Sequence, residues 1–244
     1  MTNPSSGLTD EQRVGRLEVR EAVAAVLAVI VMQLVLAIVC TASRWQLWLL
    51  PSWTWIAPAI PEAVLLGVLV GQRHKHRSQI EVSDGEQTPT RRRAAIWLVG
   101  IISVANAFAL LALLGELLSG NVRTGAELLF EAAVIWATNV FAFGLLYWEL
   151  DRGGPWQRAR DLAPVASPGA DFQFPQMENP TLAEPTWRPL LPDYMYVSFT
   201  TATAFSPTDA MPLTRRAKGV MTAETVLSAT TVLLVAARAV NILG

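Results

Sequence analysis

Long uncharged apolar runs alternate along the chain with short polar stretches. Residues 22–43 carry no charge over 22 positions, which at about 1.5 Å per residue covers the roughly 30 Å of a bilayer's hydrocarbon layer. The run predicts a first transmembrane helix. It is longer than the apolar core of a signal peptide, about 7 to 15 residues. A second run, about 51–71, follows the interface-type tryptophans Trp45, Trp48, Trp53 and Trp55 and holds Glu62 near its middle. Further runs at 94–115, 126–148 and 219–243 bring the expected spans to five. Ahead of them, residues 1–21 read as a short interfacial amphipathic helix, with Thr9 and Gln12 spaced as a capping box. The expected fold is an all-α integral membrane protein of five transmembrane helices and one re-entrant, pore-loop-like half helix.

The re-entrant element is the uncharged segment 194–208. Its 15 residues would make a helix of about 22 Å, too short for an easy crossing. Non-helical backbone at membrane depth must be buried in protein or line a wet cavity. The hydroxyls of Ser198, Thr200, Thr201, Thr203, Ser206 and Thr208 are therefore candidate pore-loop groups, with Asp209 at the mouth.

Two linkers separate the runs. Residues 72–93 are polar, basic at both ends and without apolar period, which predicts an exposed loop. His74 and His76 in it lack partners at metal-ligand spacing, so no metal site is expected. Residues 149–193 hold eight prolines together with Trp156, Phe172, Phe174 and Trp187. That proline density opposes regular helix, and the aromatics can anchor the loop on the bundle. The chain thus divides into 1–21, a four-helix part 22–148, the Pro-rich loop 149–193 and a terminal unit 194–244.

Composition sharpens the class. The chain is 52% apolar and 16% charged, with 19 basic against 20 acidic residues, and its mean hydropathy is +0.36. The balance is too oily for one soluble domain and lacks the basic surplus of a nucleic-acid binder. Cys40 is alone, so no intrachain disulfide framework exists. Sorting charge by segment orients the chain. With the N-terminus inside, 16 of the 19 basic residues fall on the cytoplasmic side, and Arg44 and Arg123 fall outside. Five spans then leave the C-terminus outside and put segment 194–208 on the cytoplasmic face.

Residues 194–218 read YMYVSFTTATAFSPTDAMPLTRRAK. The stretch resembles the pore module of two-transmembrane potassium channels: Ser198, Phe199, Thr200 and Thr201 match the pore helix, Asp209 the aspartate ending the filter, and Pro212 and Thr214 the residues after it. The filter is degenerate, with Ala204, Ser206 and Thr208 where its threonine and glycines would stand and Pro207 in place of its tyrosine. A carbonyl ring needs glycine's backbone freedom, and those channels admit their pore loop from outside. A fuller resemblance is to a group of uncharacterised bacterial multi-pass membrane proteins, carried by YWELDRGGP (147–155), FPQM (174–177), AFSPTD (204–209) and ARAVNIL (237–243). It implies the bacterial inner membrane and brings no activity.

Ionisable groups in a bilayer cost about 2.5 to 3.5 kcal/mol each at its centre on insertion scales. Glu62, Glu116, Glu127, Glu131, Glu224 and Arg238 are therefore candidates by position. A buried carboxyl tends to its neutral form and can carry a proton. Alternatively, Glu62 bonds a backbone carbonyl freed by Pro58 or Pro61. Glu224, Ser228, Thr231, Val235 and Arg238 fall on one face of the last helix, which should turn inward. Arg238 is expected to meet Glu116, Glu127 or Glu131, either as a helix lock or as part of a transport path. Gln33, Asn106 and Asn139 read as interhelical amide bonds, and Gly67 and Gly71 as a packing pair.

No nucleophile and base pair, phosphate loop, zinc motif or cofactor fingerprint occurs, so no enzyme and no cofactor is expected. Two functions stay open. One is a small channel or transporter with a non-selective or degenerate pore loop, a homo-oligomer if that loop lines a central axis. The other is a non-conducting scaffold or regulatory subunit that binds a cytoplasmic or membrane protein through its Pro-rich loop. The expected partners are the bilayer and such proteins, not nucleic acid. Asp209 separates the two in principle, attracting cations beside Arg215, Arg216 and Lys218 or capping a turn locally.

Overall fold

The computed structural model describes residues 10–43, 59–60, 62–64, 66–67, 89–118, 125–155, 158, 169–179, 181, 183–184, 187–203 and 208–243. The tryptophans at 45, 48, 53 and 55, most of loop 72–93, His74, His76 and Ser206 lie outside these residues. The protein is mostly helical. Helix α1 covers Asp10–Ala42, α2 Pro89–Leu118, α3 Gly125–Leu150, α4 the single turn Pro175–Glu178, α5 Leu191–Thr203 and α6 Arg215–Leu243. Among the described residues two helical stretches, Arg20–Ala42 and Leu128–Gly153, are long and apolar enough to cross a membrane, and Gly100–Ala112 is a shorter apolar helix.

Several boundaries differ from the expected ones for local reasons. The expected interfacial helix and first span are one continuous α1 of 33 residues, because no proline separates the charged start from the apolar run. Helix α2 already includes 89–93, the end of the polar linker. Helix α6 starts a turn before the apolar run because Thr214 caps it, its hydroxyl accepting the Ala217 N–H at 3.1 Å. Asp193 reaches back to accept the Leu190 N–H at 2.7 Å, the reciprocal half of a capping box that starts α5. Burial raises the Asp193 carboxyl, and the Leu190 N–H opposes that.

The fold is not purely helical. Strands β1, Phe172–Gln173, and β2, Met211–Pro212, pair antiparallel with Phe172 opposite Pro212. A proline, which lacks the N–H, is tolerated in so short a ladder.

Helix α3 is the spine, packing on α1, α2, α5 and α6, most extensively on α5. Its contact with α5 is close at Gly144, where an added Cβ would sit 2.5 Å from Met195 Sδ and 3.2 Å from Met195 Cα. The thioether can move but the Cα cannot without shifting the helix. Gly144→Ala is expected to destabilise the folded protein by about 1–3 kcal/mol, read as a lowered Tm in detergent; an unchanged Tm would show that α5 is free to move away.

Polarity is arranged inside out. On α1 the exposed stripe is Leu27, Val31, Val35 and Ile38, while the buried stripe Val26, Val29, Gln33, Leu36 and Cys40 includes an amide. Val104, Phe108 and Leu111 on α2 and Val226 and Leu233 on α6 are likewise exposed. Asn106, Glu131, Asn139 and Glu224 are buried. Exposed apolar surface on this scale is what a lipid or protein partner covers.

At one end of the bundle, residues of the Pro-rich loop close the core. Phe172, Phe174 and Met177 are buried, and Trp187 packs beside them. Ring edges run from Phe143 to Tyr147, Phe172, Tyr194, Phe174 and Trp187, with centroids 5.1–6.2 Å apart. Such tilted and edge-on contacts each add about 0.5–1.5 kcal/mol beyond area.

Candidate functional site

Positions four apart lie on one helix face. On α3 that spacing lines up Asn139, Phe143, Tyr147 and the following Asp151, and this line faces α5 and α6. The Asn139 amide donates to Ser228 Oγ at 2.8 Å. Two turns further along, the Tyr147 hydroxyl donates to Glu224 Oε2, and Ser198 Oγ of α5 contacts Glu224 Oε1. Ser198 Oγ also lies 2.8 Å from the Val140 carbonyl. Glu224, Tyr147 and Ser198 are each 0% exposed. Three helices thus place a carboxyl and its hydroxyl neighbours in the core, and among the described residues Glu224 has no ion pair.

Other polar pairs flank this centre. Thr138 lies 3.0 Å from Asn106 Oδ1, joining α3 to α2. Gln33 Nε2 donates to Glu62 Oε1 at 3.1 Å, so among the described residues Glu62 meets an amide, and Pro58 and Pro61 lie outside them. Cys40 Sγ sits 3.8 Å from Glu131 Oε1, a packed and buried thiol.

Beyond α3 the chain turns sharply. Asp151–Gly153 form a 3-10 turn in which Arg152 has φ 49° and Gly154 follows at φ 99°. The fully buried Asp151 carboxylate accepts the Asp171 N–H at 2.8 Å, the Phe172 N–H at 3.3 Å and the Tyr194 hydroxyl at 2.5 Å. Arg152 Nε lies 3.3 Å from the same carboxylate. Arg158 Nη1 donates to the carbonyls of Trp148 and Asp151, at 2.5 and 2.8 Å, and its guanidinium stacks over Trp148 and Tyr194. Asp171 binds Arg216 and accepts the Thr214 hydroxyl at 2.5 Å. Arg216 also reaches the Leu150 carbonyl at 3.1 Å. One polar hub therefore ties the end of α3, the Pro-rich loop, α5 and the start of α6.

The expected pore-loop residues separate into two groups. Ser198 belongs to the Glu224 centre. Thr200, Thr201 and Thr203 bond carbonyls of their own helix, at 2.8–3.0 Å. Thr208 accepts the Ala210 N–H at 3.3 Å. Asp209 is exposed and accepts the Tyr196 hydroxyl at 3.3 Å, while Arg216 is engaged with Asp171. On α6, Glu224, Ser228 and Thr231 are buried on one face as expected, with the Thr231 hydroxyl bonded to Leu227 O at 2.9 Å. The side chains of Glu116, Glu127, Val235 and Arg238 lie outside the described residues, so the expected contacts of Arg238 fall there too. The sequence pattern gave no role to Tyr147, Asp151, Arg158 and Asp171, and it set Arg216 beside Asp209 where the structure pairs it with Asp171. The four-residue spacing from Asn139 to Asp151 on an otherwise apolar helix was the available signal for the first two.

Set against family models, curated proteins and solved structures, the chain matches none.

Proposed function

We propose that this chain is a multi-pass protein of the bacterial inner membrane that carries protons, coupled to transport, with Glu224 as the proton-carrying group. In this reading five spans place the N-terminus in the cytoplasm and the C-terminus outside, and α5 is a re-entrant half helix entering from the cytoplasmic face. The resemblance of the strings at 147–155, 174–177, 204–209 and 237–243 to a group of uncharacterised bacterial multi-pass proteins supports that setting. The inside-out polarity and the two long apolar helices support the membrane setting.

One observation carries the transport reading. Ser198 has one hydroxyl hydrogen and two oxygen neighbours, Val140 O and Glu224 Oε1. When Glu224 holds a proton it donates to Ser198, Ser198 donates to Val140, and Tyr147 donates to the remaining carboxyl oxygen. Every oxygen then has its hydrogen. Removing the proton leaves a negative charge with two hydroxyl donors and, among the described residues, no cation, costly in a bilayer unless the helices rearrange. Such a group couples proton loading to conformation. The helix-bonded threonines of α5 favour a carrier over a pore lined by hydroxyls. In the scaffold reading a partner would have to meet loop side chains other than Phe174, Met177 and Trp187, which are packed on the bundle.

Two measurements test this. Reporter fusions after residues 85 and 244 should give cytoplasmic and external signals respectively; cytoplasmic signals from both contradict five spans. Purified protein in liposomes loaded with a pH-sensitive dye should relax an imposed pH gradient faster than protein-free vesicles. Equal rates contradict proton carriage unless adding the transported substrate restores the difference.

A further inference from the structure

The Glu224 centre leaves a second buried acid unexplained. Glu62 is 0% exposed and Gln33 is 5% exposed. The amide donates one hydrogen bond to Glu62 Oε1 at 3.1 Å. The two remaining oxygens, Glu62 Oε2 and Gln33 Oε1, are buried without a hydrogen-bond partner. Buried polar atoms are rarely left unpaired, and here both orphans are acceptors. A primary amide and a carboxylic acid are complementary: the amide N–H bonds one carboxyl oxygen, and the acid O–H bonds the amide oxygen. One proton on Glu62 Oε2 therefore satisfies both orphans, and the terminal torsions that align the groups are soft.

We propose that Gln33 and Glu62 form a second proton-binding site, closed by a two-bond acid–amide ring when Glu62 is loaded. Loss of the proton opens one side of the ring and sets a carboxylate against the amide oxygen, which loosens the contact between α1 and the helical segment around Glu62. A metal cation is the poorer occupant, since two free oxygens fall well short of the roughly six that hard cations gather. The described residues of the segment around Glu62 carry no other charged side chain. On α1 the nearest described charged residue is Glu21, 12 positions away, or about 18 Å along the helix. The inference extends the proton-carrier reading to a second group and does not depend on Glu224.

The test is infrared difference spectroscopy on the full chain in liposomes. The wild type at neutral pH should show, beside the band of Glu224, a second protonated-carboxyl stretch that is lost in Glu62→Gln, survives Glu224→Gln and moves to higher frequency in Gln33→Leu, where the amide donor is gone. Glu62→Gln should keep the wild-type Tm, because an amide–amide ring has the same two bonds. The band should be identical in sodium and choline chloride. A Glu62→Gln spectrum that loses only carboxylate bands overturns the proposal, as does a sodium-dependent band or a Glu62→Gln protein that fails to fold. The two readings fail separately: proton flux that survives Glu224→Gln refutes the Glu224 assignment and leaves the Glu62 band untouched.

Discussion

Asp151→Ala is expected to destabilise the folded protein strongly, on the same scale as the exchange of Glu224 for alanine. Four donors converge on this carboxylate: two backbone N–H groups of the Pro-rich loop, the Tyr194 hydroxyl and Arg152 Nε. Truncation leaves all four buried or half-buried without their acceptor. Breaking a buried charge pair by removing one partner costs about 3–5 kcal/mol. At about 2–4 °C of Tm per kcal/mol for a chain of this size, the fall in Tm is about 10 °C. The loop should also be released, so limited proteolysis between α3 and α5 should accelerate. Asp151→Asn keeps an oxygen for the backbone N–H groups but aims an NH2 at Tyr194 and Arg152. It should cost less, about 1–3 kcal/mol. A Tm for Asp151→Ala within a degree or two of wild type would show that the hub does not hold the loop.

Glu224 should respond in the opposite way to its two most informative substitutions. Glutamine reproduces the protonated acid, its amide donating to Ser198 and its oxygen accepting from Tyr147. Glu224→Gln is therefore expected to stay within about 1 kcal/mol of wild-type stability, as a near-isosteric exchange that keeps its hydrogen bonds. Alanine removes both bonds and leaves a cavity among Tyr147, Ser198 and α3. Glu224→Ala should cost about 3–5 kcal/mol. Thermal unfolding in detergent measures the asymmetry. If glutamine destabilised the protein as much as alanine, the resting carboxyl would be ionised and the hydrogen inventory around Ser198 would be wrong.

The contrast between these two centres explains what sequence alone could reveal. The inward face of α6 was legible because Glu224, Ser228 and Thr231 repeat at helical spacing on an apolar background, and a helix constrains which positions share a side. The amide bonds of Asn106 and Asn139 were legible for the same reason, although their partners were not. The hub was not legible. Asp151, Asp171 and Arg216 come from a helix end, a loop and a helix start, 20 and 45 positions apart, and no local period relates them. Gln33 and Glu62 were each visible as polar residues in apolar runs, but their pairing across 29 positions is a matter of packing. The threonines of α5 show a further limit. Composition supplies hydroxyls, while the rotamer decides that Thr200, Thr201 and Thr203 bond their own helix. Span counting found the apolar runs but not the helix start at Arg215, which depends on the Thr214 cap outside its run.

Proton movement through Glu224 is tested most directly by comparing wild type and Glu224→Gln in the same dye-loaded liposomes under an imposed pH gradient. The two proteins should be equally folded and equally inserted. Wild type should collapse the gradient, and Glu224→Gln should fall to the rate of protein-free vesicles. Equal collapse by both proteins would contradict a proton-carrying role for Glu224.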